Sequence, residues 1–184
     1  MNPNGELLPP KNKNDKDKLT LILDLDETLI HSSFIAIPNS DFKFLIDVEF
    51  NRLEVYVCIR PGAERFIKAV APHFELVVFT AASKSYADHI LTRIDPENNI
   101  KYRLYRDSCS FFSGVYVKDL SKLGRELQTI IIVDNSPASY MLQPYNAIAI
   151  IDWIDDQFDH ELDTILEFLL KNKEADNVYQ ILVQ

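Results

Sequence analysis

Four short apolar runs recur along the chain, and none of them alternates with polar residues. They are LTLIL at 19–23, LVVF at 76–79, TIIIV at 129–133 and AIAII at 147–151. Short runs of this kind are typical of strands that are buried on both faces, as in a parallel sheet. The pattern therefore predicts four strands of a parallel sheet.

Amphipathic segments separate the apolar runs. Apolar residues at helical spacing mark segments at 63–70, 83–94 and 159–170, and a shorter one at 177–183. Ser83 is suited to cap the second segment, because a serine oxygen accepts a hydrogen bond from a first-turn N–H group. Strands that alternate with helices indicate an α/β sheet joined by right-handed crossovers.

Two β-rich runs interrupt this alternation soon after the first strand. Phe44–Phe50 and Leu53–Ile59 are joined near Asn51-Arg52, and their apolar residues alternate with polar ones. Alternating runs that flank a short polar turn are typical of a β-hairpin. We therefore expect a small β insertion at about 34–60.

The first 18 residues have a different composition from the rest. Residues 1–18 are polar and rich in Pro, Asn and Lys, with Leu7 and Leu8 as the residues that can dock on the body. Such a composition is typical of a mobile tail. All predicted elements lie in 19–184, a length that suits one domain.

Composition and charge exclude several classes of protein. The 184 residues are 47% hydrophobic and 26% charged, which excludes wholesale disorder. The formal net charge of −9 argues against a broad nucleic-acid-binding face. Two cysteines without zinc-site spacing favour an intracellular protein with reduced thiols. No apolar run reaches the length of about 18 residues that a membrane span needs.

Chemically active side chains follow the predicted strands. Asp24 and Asp26 follow the first run, Thr80 follows the second, and Asp134 with Asn135 follows the third. Each of these residues also has a structural interpretation when taken alone, as a turn, a strand end or a helix start. Because ligands of parallel sheets bind at the carboxyl ends of strands, their common placement favours a functional site.

The residue types at these strand ends suit phosphoryl transfer. Crowded carboxylates need a cation, and Mg²⁺ prefers oxygen ligands. One aspartate can attack phosphorus, and the second can protonate the leaving oxygen and later deprotonate water. Lys118, in VYVKDL, can balance the anionic intermediate, while Thr80 and main-chain N–H groups bind phosphoryl oxygens.

Four motifs resemble one branch of the haloacid dehalogenase superfamily, the small C-terminal-domain phosphatases of RNA polymerase II. They are DLDETLIHSSF at 24–34, FTAASKSYAD at 79–88, YVKDLSKLGREL at 116–127 and VDNSPASY at 133–140. The similarity extends from about Leu7 to Leu182. It implies a Rossmann-like, three-layer α/β fold with a parallel sheet, a small β-hairpin insertion and no large cap.

The resemblance also implies a role for each residue. Asp24 would be the nucleophile and a ligand of Mg²⁺, and Asp26 the general acid and base, with its main-chain carbonyl on the metal. Thr80 and Lys118 would stabilise the transferring phosphoryl group. Asn135 would be the third protein ligand, and Asp134 would order metal-bound water.

Substrate-binding residues follow from the resemblance with two departures. A hydrophobic pocket in this branch receives a proline, and its apolar positions are matched here by Phe34, Val48, Phe50 and Val55. Ser83 stands where the branch carries a leucine, and Ser113 where it carries an arginine that binds substrate. We therefore expect a broader and weaker peptide preference than the polymerase-tail specialists show.

The expected function is that of a Mg²⁺-dependent protein serine/threonine phosphatase. Its substrate would be phosphoserine in the RNA polymerase II C-terminal tail or in a similar phosphoprotein, which makes the nucleus the expected location and the cytoplasm the alternative. We expect no direct contact with nucleic acid. The competing hypotheses are a small-molecule phosphatase of the same superfamily, disfavoured by the missing cap, and a catalytically weak scaffold that binds phosphopeptides.

Overall fold

The computed structural model describes residues 5–183. In chain order its strands are β1 (Thr20–Leu23), β2 (Ile30–Ser33), β3 (Phe42–Val48), β4 (Asn51–Ile59), β5 (Glu75–Phe79), β6 (Tyr102–Leu104), β7 (Ser110–Phe112), β8 (Val115–Val117), β9 (Ile130–Asp134) and β10 (Ala147–Ala149). The α-helices are α1 (Ala63–Val70), α2 (Lys84–Ile94), α3 (Glu161–Lys171) and α4 (Tyr179–Leu182). Short 3₁₀ turns connect several of these elements.

The central sheet has five parallel strands in the order β10-β9-β1-β5-β6. Its three middle strands, β9, β1 and β5, are formed by the first three apolar runs of the sequence. Every residue of these three strands is buried. The fourth run forms an edge strand that ends at Ala149, two residues earlier than predicted, and Ile151 is exposed. The predicted α/β architecture with a parallel sheet is therefore present.

The two faces of the sheet are covered by different kinds of element. Residues such as Leu21, Leu76 and Ile131 pack in one cluster with the apolar faces of α1, α2 and α3. The alternate residues, such as Ile22, pack with Leu120, Leu123, Tyr140 and Leu8. Leu120–Leu123 forms a 3₁₀ turn. This second face of the sheet is therefore covered by 3₁₀ turns and the N-terminal segment.

The insertion is a three-stranded antiparallel sheet in the order β2-β4-β3. The predicted hairpin is formed by β3 and β4, with its turn at Glu49 and Phe50 instead of Asn51 and Arg52. Glu49 has a φ of 53°, the left-handed conformation that a tight turn requires. Ile46, Val55 and Val57 join the core cluster of the main sheet, so the insertion packs on the domain.

Part of the segment at 5–18 packs against the domain, through buried Leu8 and Asp15. Leu8 is 1% exposed, and the Leu7 amide donates to the Lys122 carbonyl at 2.8 Å. Buried Asp15 forms ion pairs with Lys18 and Lys101. The predicted docking of Leu7 and Leu8 is therefore observed, while residues 1–4 of the expected tail lie outside the described residues.

The sequence pattern did not indicate β2, which has four residues, or three shorter strands. β6 adds the outer strand beside β5, and β7 and β8 form a separate two-stranded hairpin. Each has only three residues, too few for a periodic pattern to be visible. Within residues 5–183, no helix has the length and apolar character needed to cross a membrane.

Candidate active site

Polar side chains at the carboxyl ends of the central strands meet in one cleft of about 580 Å³. Asp24 follows β1, Thr80 follows β5, and Asp134 is the last residue of β9. The cleft is lined by all six residues predicted to carry chemistry: Asp24, Asp26, Thr80, Lys118, Asp134 and Asn135. A larger groove of about 780 Å³, between the N-terminal segment and the region of Gly124, contains none of them.

Lys118 connects two of the carboxylates at the floor of the cleft. Its side chain is buried, its Nζ lies 2.6 Å from Asp134 Oδ2, and it also donates to Asp24 Oδ1. Burial alone would lower the pKa of Lys118, but the charges of Asp24 and Asp134 outweigh it and raise the pKa. Burial and the charge of Asp24 raise the pKa of Asp134 to about 6. Lys118 therefore remains charged, and its ammonium group contacts both Asp24 and Asp134.

Asp26 lies in a less polar environment than an ordinary surface aspartate. Burial, together with the nearby charge of Asp24, raises the pKa of Asp26 to about 7. The Tyr86 hydroxyl donates to Asp26 Oδ1, and Thr80 Oγ1 lies 3.5 Å from Asp26 Oδ2. A carboxyl group that keeps a proton near neutral pH is suited to act as a general acid.

Tyr86 contacts the predicted acid and was not among the predicted site residues. Its ring packs against the core, but its hydroxyl contacts Asp26 and lies 2.6 Å from Ser32 Oγ. Tyr86 is in the first turn of α2, which begins just beyond the carboxyl end of β5. The position of a tyrosine in the first turn after a strand end is the signal that could have found it.

The oxygen donors predicted for Mg²⁺ are held in place by neighbouring side chains. Asn135 Nδ2 donates to Asp152 Oδ1 at 3.0 Å, and Asn135 Oδ1 accepts a hydrogen bond of 3.3 Å from Thr28 Oγ1. Both oxygens of Asp134 accept hydrogen bonds, from the Ser136 amide and from Lys118. Asp134 is thus better suited to an ordering role than to direct ligation.

The donor set fits a hard cation. The described residues contain no cluster of three or more His, Cys, Asp and Glu side chains that could hold a metal. The predicted donors are of another kind, since they comprise the Asp24 carboxylate, the Asn135 amide oxygen and the Asp26 main-chain carbonyl. A few protein oxygens of mixed type, completed by water and a phosphate, are what Mg²⁺ usually accepts.

The loop between β1 and β2 is fixed by its backbone. The Asp24 amide donates to the Val133 carbonyl at 3.0 Å, which continues the pairing of β1 with β9. Glu27 has a φ of 58°, its carbonyl accepts from the Trp153 amide at 2.8 Å, and its side chain pairs with His31 at 3.1 Å. His31 therefore braces this loop.

Buried Arg60 supports the same loop from the end of β4. Its Nη1 donates to the carbonyls of Thr28, at 3.2 Å, and Ile151, at 3.1 Å. Its Nε and Nη2 donate to the two carboxylate oxygens of Asp159, each at 2.7 Å. One guanidinium thus joins the β1–β2 loop, the segment after β10 and the start of α3.

Only part of the predicted substrate pocket lines the cleft. Phe34, Val48 and Ser83 do so, and the first two expose 59% and 41% of their surface. The three others, Phe50, Val55 and Ser113, do not line the cleft in this structure. Ile46, Tyr86 and Arg106 line the cleft and were not predicted to do so.

The three residues outside the lining have different surroundings. Phe50 lies in the β3–β4 turn and is fully exposed, whereas Val55 is 1% exposed and packs in the core. Ser113 lies in the turn between β7 and β8 with a φ of 50°. Hairpin register sends alternate residues to opposite faces, so apolar character alone does not place a side chain in a pocket.

Comparison with known proteins gives consistent matches. The sequence profile of the NLI interacting factor-like phosphatases matches residues 19–179. The chain is 42% identical over 178 residues to the human carboxy-terminal domain RNA polymerase II polypeptide A small phosphatase 1, covering 97% of this chain and 68% of that protein. It is 51% identical over 150 residues to the probable C-terminal domain small phosphatase of Dictyostelium discoideum, covering 82% of this chain and 49% of that protein.

Other relatives are longer than this chain. The phosphatase Herzog of Drosophila melanogaster is 42% identical over 176 residues, which are 96% of this chain and 50% of that protein. The chain thus spans about half to two thirds of these relatives. A solved structure of fission yeast Fcp1, an RNA polymerase II CTD phosphatase bound to beryllium fluoride, superposes with a TM-score of 0.63 at 19% identity, covering 88% of this chain and 52% of that one. The fold class expected from the sequence is confirmed.

Proposed function

Because this chain belongs to the NLI interacting factor-like phosphatase family, a family of phosphoprotein phosphatases, we propose that it is a Mg²⁺-dependent protein serine/threonine phosphatase that works through an aspartyl-phosphate on Asp24. The observation that carries the proposal is the pair of unlike aspartates in the cleft. Asp24 contacts the Lys118 ammonium group, whereas Asp26 has a pKa raised to about 7, which favours the acid.

The first step transfers the phosphoryl group to the enzyme. A carboxylate oxygen of Asp24 attacks phosphorus, and the bond between phosphorus and the serine oxygen breaks. Asp26 gives its proton to the leaving serine oxygen, which would otherwise depart as an unstable alkoxide. Lys118 and the Thr80 hydroxyl stabilise the charge on the transferring group, since both line the same cleft.

The second step releases inorganic phosphate. Asp26, now a carboxylate, takes a proton from a water molecule, whose oxygen attacks phosphorus and displaces Asp24. This returns both aspartates to their starting protonation states. The Tyr86 hydroxyl holds Asp26 through both steps, because it can donate a hydrogen bond to either form of the carboxyl group.

Asp24, Asn135 and the Asp26 carbonyl would hold Mg²⁺, and Asp134 would order its water. The bound ion would neutralise charge on the phosphoryl oxygens. Asp152 and Thr28 keep the Asn135 amide in the orientation that presents its oxygen. The phosphoryl transfer and the proton transfers are carried out by the side chains described above.

The shape of the cleft favours a peptide substrate. Phe34 and Val48 expose apolar surface beside the two aspartates, with Ile46 between them and the core. An extended chain with a phosphoserine can lie along such a shelf and bury an apolar neighbour. The RNA polymerase II tail or a similar phosphoprotein is the proposed substrate, and a nuclear location follows from that assignment.

The proposal is tested with a phosphopeptide panel that covers the serine positions of polymerase-tail repeats and unrelated phosphoproteins. Wild-type enzyme should release phosphate with Mg²⁺ and not with excess chelator. Asp24→Asn should reduce kcat by about 10³ or more, because an amide does not attack phosphorus. Asp176→Asn is the matched control, since Asp176 is exposed and lies outside the cleft.

Each alternative predicts a different result. A small-molecule phosphatase would hydrolyse simple phosphate esters and leave every peptide intact. A catalytically weak scaffold would bind phosphopeptides without turnover. Normal turnover by Asp24→Asn would contradict the proposed nucleophile.

A further inference from the structure

A further groove, of about 520 Å³, is formed by the segment between β10 and α3 and by the first turn of α3. Within it, Ile151, Ile154 and Phe158 expose 68%, 46% and 85% of their surface. Exposed apolar residues are normal when they are scattered singly, whereas several of them together mark an interaction site. The exposed side chains therefore indicate that this groove binds a partner.

The backbone of the groove is fixed by side chains beneath it. Trp153 is 2% exposed, and its Nε1 donates to the Asp156 carbonyl at 2.8 Å. The Asp156 carboxylate accepts a hydrogen bond of 2.9 Å from the Phe158 amide, and the next residue, Asp159, is paired with buried Arg60. An ordered backbone thus presents the exposed apolar side chains, which lowers the entropy lost when a partner binds.

Carboxylates surround these apolar side chains. The described residues that line the groove include no lysine or arginine, and their carboxylates are those of Asp152, Asp155, Asp156, Asp159 and Glu161. Among these five, only Asp159 has a cationic partner within residues 5–183, namely Arg60. The histidine of the lining, His160, faces Asp163. The groove, called the acidic groove from here on, therefore combines apolar surface with negative charge that is not neutralised.

The acidic groove adjoins the catalytic cleft. Asp152 lines the acidic groove, and its Oδ1 accepts a hydrogen bond of 3.0 Å from Asn135 Nδ2. Asn135 in turn lines the catalytic cleft. Because one hydrogen bond joins the two linings, an extended peptide that places its phosphoserine at Asp24 can continue past Asn135 into the acidic groove.

We propose that the acidic groove binds a segment of the substrate that carries a basic residue next to an apolar one. The apolar side chain would pack on Ile154 and Phe158, and the lysine or arginine would lay its aliphatic stem on the same surface while its charge reaches Asp155 and Asp156. The inference rests on the proposed phosphatase function. It narrows the substrate class to phosphoproteins with a basic, apolar segment near the phosphoserine.

The test uses phosphoserine peptides with an arginine-leucine pair in an otherwise neutral, polar sequence. The pair is moved residue by residue along either side of the phosphoserine, and kcat and KM are measured for each peptide and for partners with glutamine in place of arginine or serine in place of leucine. At one or more positions, arginine should be preferred over glutamine by about fivefold and leucine over serine by about threefold in kcat/KM, mainly through KM. The preference for arginine should decrease as the ionic strength rises.

Two variants connect these preferences to the acidic groove. Asp155→Lys should reduce the ratio between the arginine and glutamine peptides to about one, and Phe158→Ser should do the same to the ratio between the leucine and serine peptides. Asp176→Lys and Phe112→Ser are the matched controls, because both residues are exposed and outside the two linings. The controls should keep the wild-type ratios. Melting temperatures of the four variants establish that each is folded.

The possible outcomes separate this inference from the proposed function. Absence of turnover on every phosphopeptide contradicts the proposed function and the inference with it. Turnover with equal kcat/KM for the arginine and glutamine peptides at every position contradicts the inference alone, as does a preference for arginine that Asp155→Lys retains. A wild-type dimer that Phe158→Ser converts to a monomer in analytical ultracentrifugation also overturns it, because a second copy of the chain would then occupy the groove.

Discussion

At the residue scale, the hydrogen bond between Tyr86 and Asp26 influences how the proposed acid titrates. Burial and the charge of Asp24 raise the pKa of Asp26 to about 7, while the Tyr86 hydroxyl acts in the opposite direction. The first step needs protonated Asp26, so kcat should fall as the pH rises through this pKa. Removing the hydroxyl should therefore raise the pKa and move the decline to higher pH.

We expect Tyr86→Phe to show this shift together with a decrease of about tenfold in kcat at the optimum, since Asp26 loses the group that orients it. The measurement is the pH profile of kcat on a phosphoserine peptide. Tyr145→Phe is the control, because Tyr145 is 67% exposed and outside the cleft lining. An unchanged profile would show that Tyr86 serves only in packing.

The location of five of the six chemical residues was predictable from the sequence, because the end of a buried strand fixes where the next side chains lie. Lys118 instead follows β8, which the sequence pattern did not indicate. The pocket residues were not predictable in the same way. The β3–β4 turn lies at Glu49 and Phe50, two residues before the predicted turn, so Phe50 is exposed at its tip. Val55 pairs with Phe44 in this register and is buried in the core.

At the element scale, Arg60 holds the β1–β2 loop, β4 and the start of α3 together. The Arg60 side chain is fully buried and that of Asp159 is 12% exposed, so removing one charge leaves the other in a nonpolar site. Breaking a buried pair of this kind costs about 3 kcal/mol. We expect Asp159→Asn to lower the free energy of unfolding by about that amount, measured by urea denaturation at pH 7.

The contribution of Asp159 to the free energy of unfolding should depend on pH in a definite direction. Hydrogen bonds from Arg60 hold the pKa of Asp159 below its usual value, so its stabilising contribution is present above the unfolded pKa of about 4. It is lost as the pH falls through the lowered pKa of the folded state. The free energy of unfolding of Asp159→Asn should therefore fall less on acidification than that of the wild type. Asp163→Asn is the control, because its pair with Arg65 is exposed and should contribute little.

Elements with a long periodic pattern were predicted well. α1 has the predicted bounds, and α2 and α3 begin one and two residues after the predicted starts. β6, β7 and β8 were missed because a three-residue strand depends on its partners in the fold and carries no period of its own.

At the scale of the whole molecule, the sheet needs a cover on both faces. The three longer α-helices pack in the cluster of one face, and the cluster of the other face contains 3₁₀ turns with Leu8 inserted among them. The polar composition of 1–18 concealed this role, because a single buried leucine and a few hydrogen bonds are enough to order a short segment. Arg125 Nη2, which donates to the Pro9 carbonyl at 2.8 Å, adds to the same attachment.

Leu8→Ala should therefore destabilise the whole domain and not only the segment that contains it. Replacing a leucine that is 1% exposed leaves a cavity beside Ile22 and Phe79 and should lower the free energy of unfolding by about 2 to 4 kcal/mol. Leu142→Ala, the same change at a residue that is 52% exposed, should have little effect. If Leu8→Ala unfolds like the wild type while its N-terminal amides lose protection from hydrogen exchange, the segment is only a local attachment. If both quantities change together, the N-terminal segment is part of the core that supports the catalytic strands.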